Sequence, residues 1–300
     1  MKASLSITQE RRRIQRTFII PLIATLFLMI IVPLIALFAF SLTSVQVGFK
    51  NFKFIGFLNY ELLFEDPDFW TAFGNTLIMM AGIVLTQLLL GVGYAILIYK
   101  TKFLNGFIRV VMMFPMVISP IIAGIIWRIL LMPKYGGFNI LLSGLGAWDI
   151  PDWFGGAYLA KFVIIAVPSW EWTPFVILYL LAGLESLPSS PFESAKIDGA
   201  NWIQEIFHIM LPMMKKLLIT VTLFRVIESF KIFPLIYSIT TGGPGNATED
   251  LTYMIYKSGF KYLKLGYSSA VSMIILVLIV SFIVALGLTN RKSARREEGI

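Results

Sequence analysis

Five ionisable side chains lie well inside long apolar runs, away from their first turns, where charge is costly: Arg128, Glu171, Arg225, Glu228 and Lys231. In hydrocarbon such groups face a cavity or one another, so they mark either internal ion pairs or a polar path. Arg225, Glu228 and Lys231 recur at i, i+3 and i+6, which predicts one face of a helix. Glu171 sits in Trp170-Glu171-Trp172, flanked by Pro168 and Pro174. Two readings stand at this point. Arg225 pairs with Glu228 or Glu171 to hold helices together, or the same groups line a translocation path. A pair that lines a cavity satisfies both. Carboxylates, a guanidinium and aromatic faces at one depth are the chemistry that recognises sugars, through hydrogen bonds to hydroxyls and stacking on rings.

The elements that hold these groups follow from composition. The chain has 300 residues, 57% hydrophobic and 14% charged, against roughly 25% charged in soluble domains. That predicts an all-α polytopic membrane protein. A span needs about 20 mainly apolar residues, and six stretches qualify: 18–42, 72–99, 108–132, 160–183, 217–240 and 268–289. Prolines inside them are expected to kink the helices without breaking them. The first run is too long for a signal-peptide core and is read as an uncleaved span. Gly91-Val92-Gly93 predicts close helix packing through small residues.

Fifteen Lys and Arg residues fall in the N-terminal segment, the connector near Lys100, the island 184–216 and the tail, against seven in the other three loops. This bias places both termini and the island in the cytoplasm. The expected organisation is a cytoplasmic segment 1–17, a transmembrane domain 18–289 with a cytoplasmic loop 184–216, and a tail 290–300. The net charge of +8 is assigned to membrane topology, not nucleic acid. With no cysteine, disulfides and thiol chemistry are excluded. The outer loops are expected to hold Asp66-Pro67-Asp68-Phe69-Trp70, the interfacial Trp148 and Trp153, and the tight turn Thr241-Gly242-Gly243-Pro244-Gly245.

The island carries helix punctuation twice. Ser190-Pro191-Phe192-Glu193 predicts a capping box. Gly199 predicts a helix stop, and Asn201 with Gln204 predicts a second cap. A rigid helical elbow of this kind reads as a docking surface. His208, the single histidine, is expected on a solvated helix face, and Asn246-Ala247-Thr248 is read as a chance sequon. No internal repeat is visible.

Glu193-Ser194-Ala195, then Asp198-Gly199-Ala200, then Leu211-Pro212 resemble the EAA loop of binding-protein-dependent ABC importer permeases. Leu181-Ala182-Gly183-Leu184-Glu185-Ser186-Leu187-Pro188 is similar to the form in carbohydrate-uptake members, the maltose and glycerol-phosphate type. So are Phe69 to Thr76, Phe114 to Pro120 and Thr240 to Glu249. Ser194 replaces the motif's first Ala, and Lys216 stands where many members have Pro. The resemblance implies the type I importer permease fold, in the inner membrane of a bacterium or archaeon. Glu193, Ser194, Ala195, Asp198, Gly199 and Ala200 would couple to an ATPase. Glu171, Trp172, Phe175, Arg225, Glu228 and Ser229 would contact a sugar. Implied partners are a second homologous permease, two cytoplasmic ATPase subunits and an external solute-binding protein. There is no Walker A motif, so ATP and Mg would be used by the ATPases; with no Cys, no His pair and no metal-spaced cluster, no enzyme activity and no cofactor is expected on this chain. Rival readings are an ABC permease for a non-sugar solute and, from other classes, a secondary transporter or a membrane enzyme.

Overall fold

The computed structural model describes residues 2–46, 52–101, 106–146 and 151–297, with side chains from 17 to 288 within these. Trp148 lies outside them. The described residues are predominantly helical, in the order α1 (Lys2–Ser41), α2 (Leu58–Glu65), α3 (Pro67–Thr101), α4 (Gly106–Val117), α5 (Pro120–Leu130), α6 (Gly137–Gly144), α7 (Ala157–Glu185), α8 (Ser190–Ile197), α9 (Trp202–Glu205), α10 (Leu211–Met213), α11 (Lys215–Ser229), α12 (Phe233–Ile239), α13 (Leu251–Tyr256) and α14 (Leu265–Glu297). Among the described residues, four helical stretches are long and apolar enough to cross a membrane: Thr17–Ser41, Pro67–Thr101, Ala157–Glu185 and Leu265–Leu288. Two bent pairs, α4 with α5 and α9–α10 with α11, raise the number to six when each pair is one span.

The prolines do not all act as expected. Helix α7 runs through Pro168 and Pro174, and α1 through Pro21 and Pro33. At Pro120, however, the chain turns by 90° between α4 and α5. Ser119 is extended there (φ −61°, ψ 136°), the conformation into which a following proline ring forces its neighbour. The run 217–240 is also broken, not kinked: α11 ends at Ser229 and α12 starts at Phe233, with Pro234 in its first turn. Lys231 therefore leaves the helix that carries Arg225 and Glu228. The segment Asp66 to Trp70, expected in a loop, is the start of α3. An Asp66 carboxylate oxygen accepts from the Asp68 N–H at 2.9 Å, and Pro67 takes the first helical position, where no N–H is needed.

The chain divides into two compact units. In Met1–Glu65 with Ile255–Ile274, buried Asn59 donates to the carbonyls of Ser41 (2.7 Å) and Thr43 (2.9 Å). Tyr60 reaches the Ser41 hydroxyl at 2.8 Å, so α2 is fastened to the end of α1.

In Asp66–Met254 with Ile275–Ile300, α3 packs along α7. The contact is close because α3 presents glycine. A Cβ at Gly91 would sit 2.4 Å from Val176 Cγ1, whereas one at Gly93 would meet nothing within 4 Å. Gly91 thus makes the packing expected of the small-residue pair, and Gly93 does not. A buried cluster continues this interface toward α11, joining Ala95 and Ile96 to Val176, Ile177, Leu180 and Leu184, and these to Ile206, Met210, Met214 and Val221.

The loop 240–250 is tied to the first turns of α3. Asn75 donates to the carbonyls of Asn246 (3.1 Å) and Glu249 (2.9 Å). The Thr76 hydroxyl accepts from the Leu251 N–H at 3.0 Å, and Asn246 donates to Asp68 at 3.0 Å. Asp250 caps α13, accepting from the Tyr253 N–H at 2.7 Å and from the Thr252 hydroxyl. Burial pushes its carboxyl up from 3.8 to about 6, against the lowering effect of those hydrogen bonds.

Two outcomes are expected. Gly91→Leu overpacks the α3–α7 contact and lowers stability by about 1–3 kcal/mol, while Gly93→Leu leaves it unchanged; thermal unfolding in detergent distinguishes them. For Asp250 the folded state holds the proton more tightly than the unfolded chain. The stability linked to its neutral form is complete below pH 4 and is lost as pH rises through 6. Asp250→Asn keeps a neutral cap, so its melting temperature exceeds the parent's at pH 8, by the equivalent of about 2–3 kcal/mol, and converges with it near pH 4. A constant difference across that range would contradict the assignment.

Candidate functional site

Two regions collect the residues singled out on sequence. The first is the elbow 190–214. Helix α8 starts one residue earlier than the predicted cap requires. Ser190 is its first residue, the Glu193 N–H donates to the Ser189 carbonyl at 3.0 Å, and no side chain caps the helix. The predicted capping box at Ser190 is therefore not formed. The stop at Gly199 is. The Gly199 N–H donates to Lys196 O (3.2 Å) and the Ala200 N–H to Ala195 O (2.9 Å), a Schellman closure whose C′ residue needs a left-handed backbone. Gly199 supplies it, with φ +74°. The second cap is present in both directions: Asn201 Oδ1 accepts from the Gln204 N–H at 2.9 Å, and Gln204 Oε1 from the Asn201 N–H at 2.8 Å. Such a cap contributes about 1 kcal/mol.

Between α9 and α10 lies a π-helical turn, Ile206–Met210, and the chain then bends by 67° into α11. Ile206 and Met210 are buried in the α3–α7 cluster, while Trp202 and Phe207 are exposed. His208 is exposed, its Nδ1 3.1 Å from the Gln204 carbonyl. Of the motif residues, Ala195 is buried and Ala200 half-buried; Glu193, Ser194, Asp198 and Gly199 are exposed. Ala195 anchors α8 while its acidic residues face out. Two ion pairs tie this end of the molecule together: Lys100 of α3 to Glu205 of α9 at 2.5 Å, and Arg109 of α4 to Glu185 of α7 at 2.6 Å. Lys100 also lies 5.9 Å from the Trp202 ring centroid.

The second region lies where α3, α7 and α11 meet. Arg225 is 3% exposed and Glu171 fully buried. The Arg225 guanidinium stands over the Trp172 ring, 5.1 Å from its centroid, within cation–π range. Its Nε donates to Gln87 Oε1 at 2.7 Å. The Gln87 amide in turn donates to the Pro168 carbonyl at 2.9 Å. Trp172 meets Phe175 edge-on, and Phe175 stacks on Tyr179, with centroids 6.4 and 6.1 Å apart. The result is an aromatic row along α7 with a cation at one end.

Not every predicted member joins this cluster through a direct bond. Glu228 pairs with Lys231 at 2.8 Å and makes no hydrogen bond to Arg225 among the described residues. The buried Ser229 hydroxyl donates to its own helix, to Val226 O at 2.7 Å. The Glu171 carboxylate is buried beside the Trp172 side chain and makes no hydrogen bond to Arg225 among the described residues. Arg128 lies apart, 3.4 Å from the Ser238 carbonyl on α12. The residue that sequence reasoning missed is Gln87, fully buried in α3. Its signal was an amide in the middle of an apolar run, a group that is costly to bury without partners. Among the described residues no cluster of three His, Cys, Asp or Glu side chains has the geometry of a metal site.

Comparison with known proteins finds relatives along most of the chain. The chain is 32% identical over 267 residues to the trehalose/maltose transport system permease protein MalF of Thermococcus litoralis, covering 88% of this chain and 89% of that protein. It is 34% identical over 241 residues to the sulfoquinovosyl glycerol transport system permease protein SmoG of Agrobacterium fabrum, covering 80% and 77%. The fold matches a chain in the crystal structure of a bacterial alginate ABC transporter in complex with an alginate pentasaccharide-bound periplasmic protein. The TM-score is 0.79 at 20% identity, over 94% of this chain and 96% of that one. The family described as binding-protein-dependent transport system inner membrane component matches residues 87–295, so the cap at Asn201, the glycine turn and the charged α3–α7–α11 junction all fall within it, and the chain belongs to that family of membrane permeases.

Proposed function

We propose that this chain is the permease subunit of an ATP-driven importer and forms a translocation path for a carbohydrate delivered by an external binding protein. The observation that carries the reading is the row Trp172, Phe175 and Tyr179 with Arg225 stacked at its end. Half-buried aromatic rings beside a guanidinium with donors to spare suit a polyhydroxylated solute. Glu171, Glu228 and Ser229 complete the polar set on the same helices. The relatives named above act on carbohydrates, which supports the substrate class.

Energy comes from two separate ATPase subunits that dock at α8 from the cytoplasm, the side on which both termini lie. ATP and Mg are used there and not on this chain. Glu193, Ser194 and Asp198 face the ATPase, and Ala195 and Ala200 seat α8 on the elbow. Gly199 sets the angle between α8 and α9. A second homologous permease closes the path on its other side. The loop 240–250, held by Asn75 and Thr76, faces the external binding protein. Because Ile206 and Met210 root the elbow in the α3–α7 cluster, a displacement of α8 is passed to the spans as a rigid-body movement.

The elbow supplies the test. Proline at position 199 cannot adopt φ +74° and removes the N–H that closes α8. Gly199→Pro and Glu193→Lys are expected to insert at normal levels and to leave ATP hydrolysis by the complex detectable. Uptake falls in both on the order of tenfold or more. Sugar uptake at the parental rate in both variants, measured in vesicles with the cognate binding protein, would contradict the coupling role.

A further inference from the structure

Gln87 lies outside the residues assigned to the path on sequence, yet it makes the one hydrogen bond that Arg225 has among the described residues. We propose that Gln87 is a positioning residue of the translocation path. Its amide oxygen holds the Arg225 guanidinium against the Trp172 ring without neutralising it, leaving the outer nitrogens to donate to the solute. The inference rests on Arg225 lining that path.

Three observations lead to it. First, the amide is locked in one orientation. Gln87 Nε2 donates to the Pro168 carbonyl at 2.9 Å, so Oε1 points at Arg225 Nε, 2.7 Å away. The flipped amide would set oxygen against oxygen and N–H against N–H. Second, both side chains are buried, Gln87 at 0% and Arg225 at 3% exposure. A hydrogen bond in such surroundings is stronger than in water. Third, only Nε of the guanidinium is used. The two Nη nitrogens donate to no group among the described residues, and neither oxygen of the nearby Glu171 accepts from them.

The choice of residue follows. Glutamate at 87 would set a carboxylate against the Pro168 carbonyl and cancel the Arg225 charge with an ion pair. Asparagine is one methylene too short to span both partners. Glutamine alone joins a backbone acceptor on α7 to a cationic donor on α11 and stays neutral. Because its two partners are on different helices, the bond also registers the position of α11 against α3 and α7.

The test reads geometry, not transport, so its failure is distinct from a failure of the carbohydrate reading. The permease is labelled with fluorotryptophan and studied by fluorine NMR in the assembled transporter. The Trp172 resonance is identified by its loss in Trp172→Phe. Gln87→Met keeps length and volume but removes both hydrogen bonds. It is expected to move the Trp172 resonance toward its position in Arg225→Met, and the double variant to show no further movement. Gln87→Glu, which retains the acceptor, holds the resonance nearer the parent. Trp127 and Trp170, which pack edge-on at 5.5 Å, are expected to stay in place. Should Gln87→Met fail to assemble, Gln87→Asn carries the same expectation. An unmoved Trp172 resonance, a further shift in the double variant, or joint movement of Trp127 and Trp170 would overturn the proposal.

Discussion

A guanidinium inside a membrane span is the constraint from which the rest of the molecule follows. Removing such a charge from water is expensive, and the cost is tolerated only where other groups converge on it. Arg225 meets that condition with help from two other helices. Trp172 of α7 offers a ring face, and Gln87 of α3 offers an amide oxygen. The same amide fastens α3 to the α7 backbone at Pro168. Three helices are thus held in register by one polar junction, in a region otherwise packed by apolar contact. Gly91, one turn further along α3, removes the bulk that would hold α3 away from α7. Close packing and polar satisfaction are therefore two requirements met by one interface.

The ends of the same helices carry the contacts that a transport cycle needs. At one end of α3, Asn75 and Thr76 hold the loop that follows α12. At the other, Lys100 reaches Glu205 in the elbow. Exposed ion pairs contribute little by themselves, but this one is half-buried and sits beside the apolar seat of Ile206 and Met210. The elbow is stiff for local reasons, with a Schellman closure at Gly199 followed directly by a reciprocal cap at Asn201. A stiff elbow seated on α3 and α7 moves with them, and it is the element on which the proposed coupling to an ATPase depends.

Much of this was legible in the sequence, where local chemistry decides the outcome. The turn at Gly199 requires a residue tolerant of positive φ, and the Asn201 cap requires an acceptor and a returning amide three residues on; both are readable from the chain. The cap at Ser190 was not, because Ser189 precedes it and the helix starts earlier. Prolines in apolar runs were the weaker signal. Whether a helix continues past one depends on which neighbours satisfy the freed carbonyls, so α7 continues through Pro174 while the chain turns at Pro120. The i, i+6 spacing of Arg225 and Lys231 has no structural meaning because the helix ends at Ser229. Gln87 went unread because its meaning lies in a partner 138 residues away. An amide in an apolar run signals that a partner is needed, but no local pattern says which residue it is.

The central claim is that the Arg225 junction lies in the path of the transported sugar. The most direct measurement is the concentration dependence of uptake for a labelled sugar carried by the cognate binding protein, in Arg225→Ala and Glu228→Gln transporters. A raised half-saturation concentration, with normal insertion and assembly, is the predicted result. Unchanged apparent affinity in both variants would show that these charges serve only to hold the helices together.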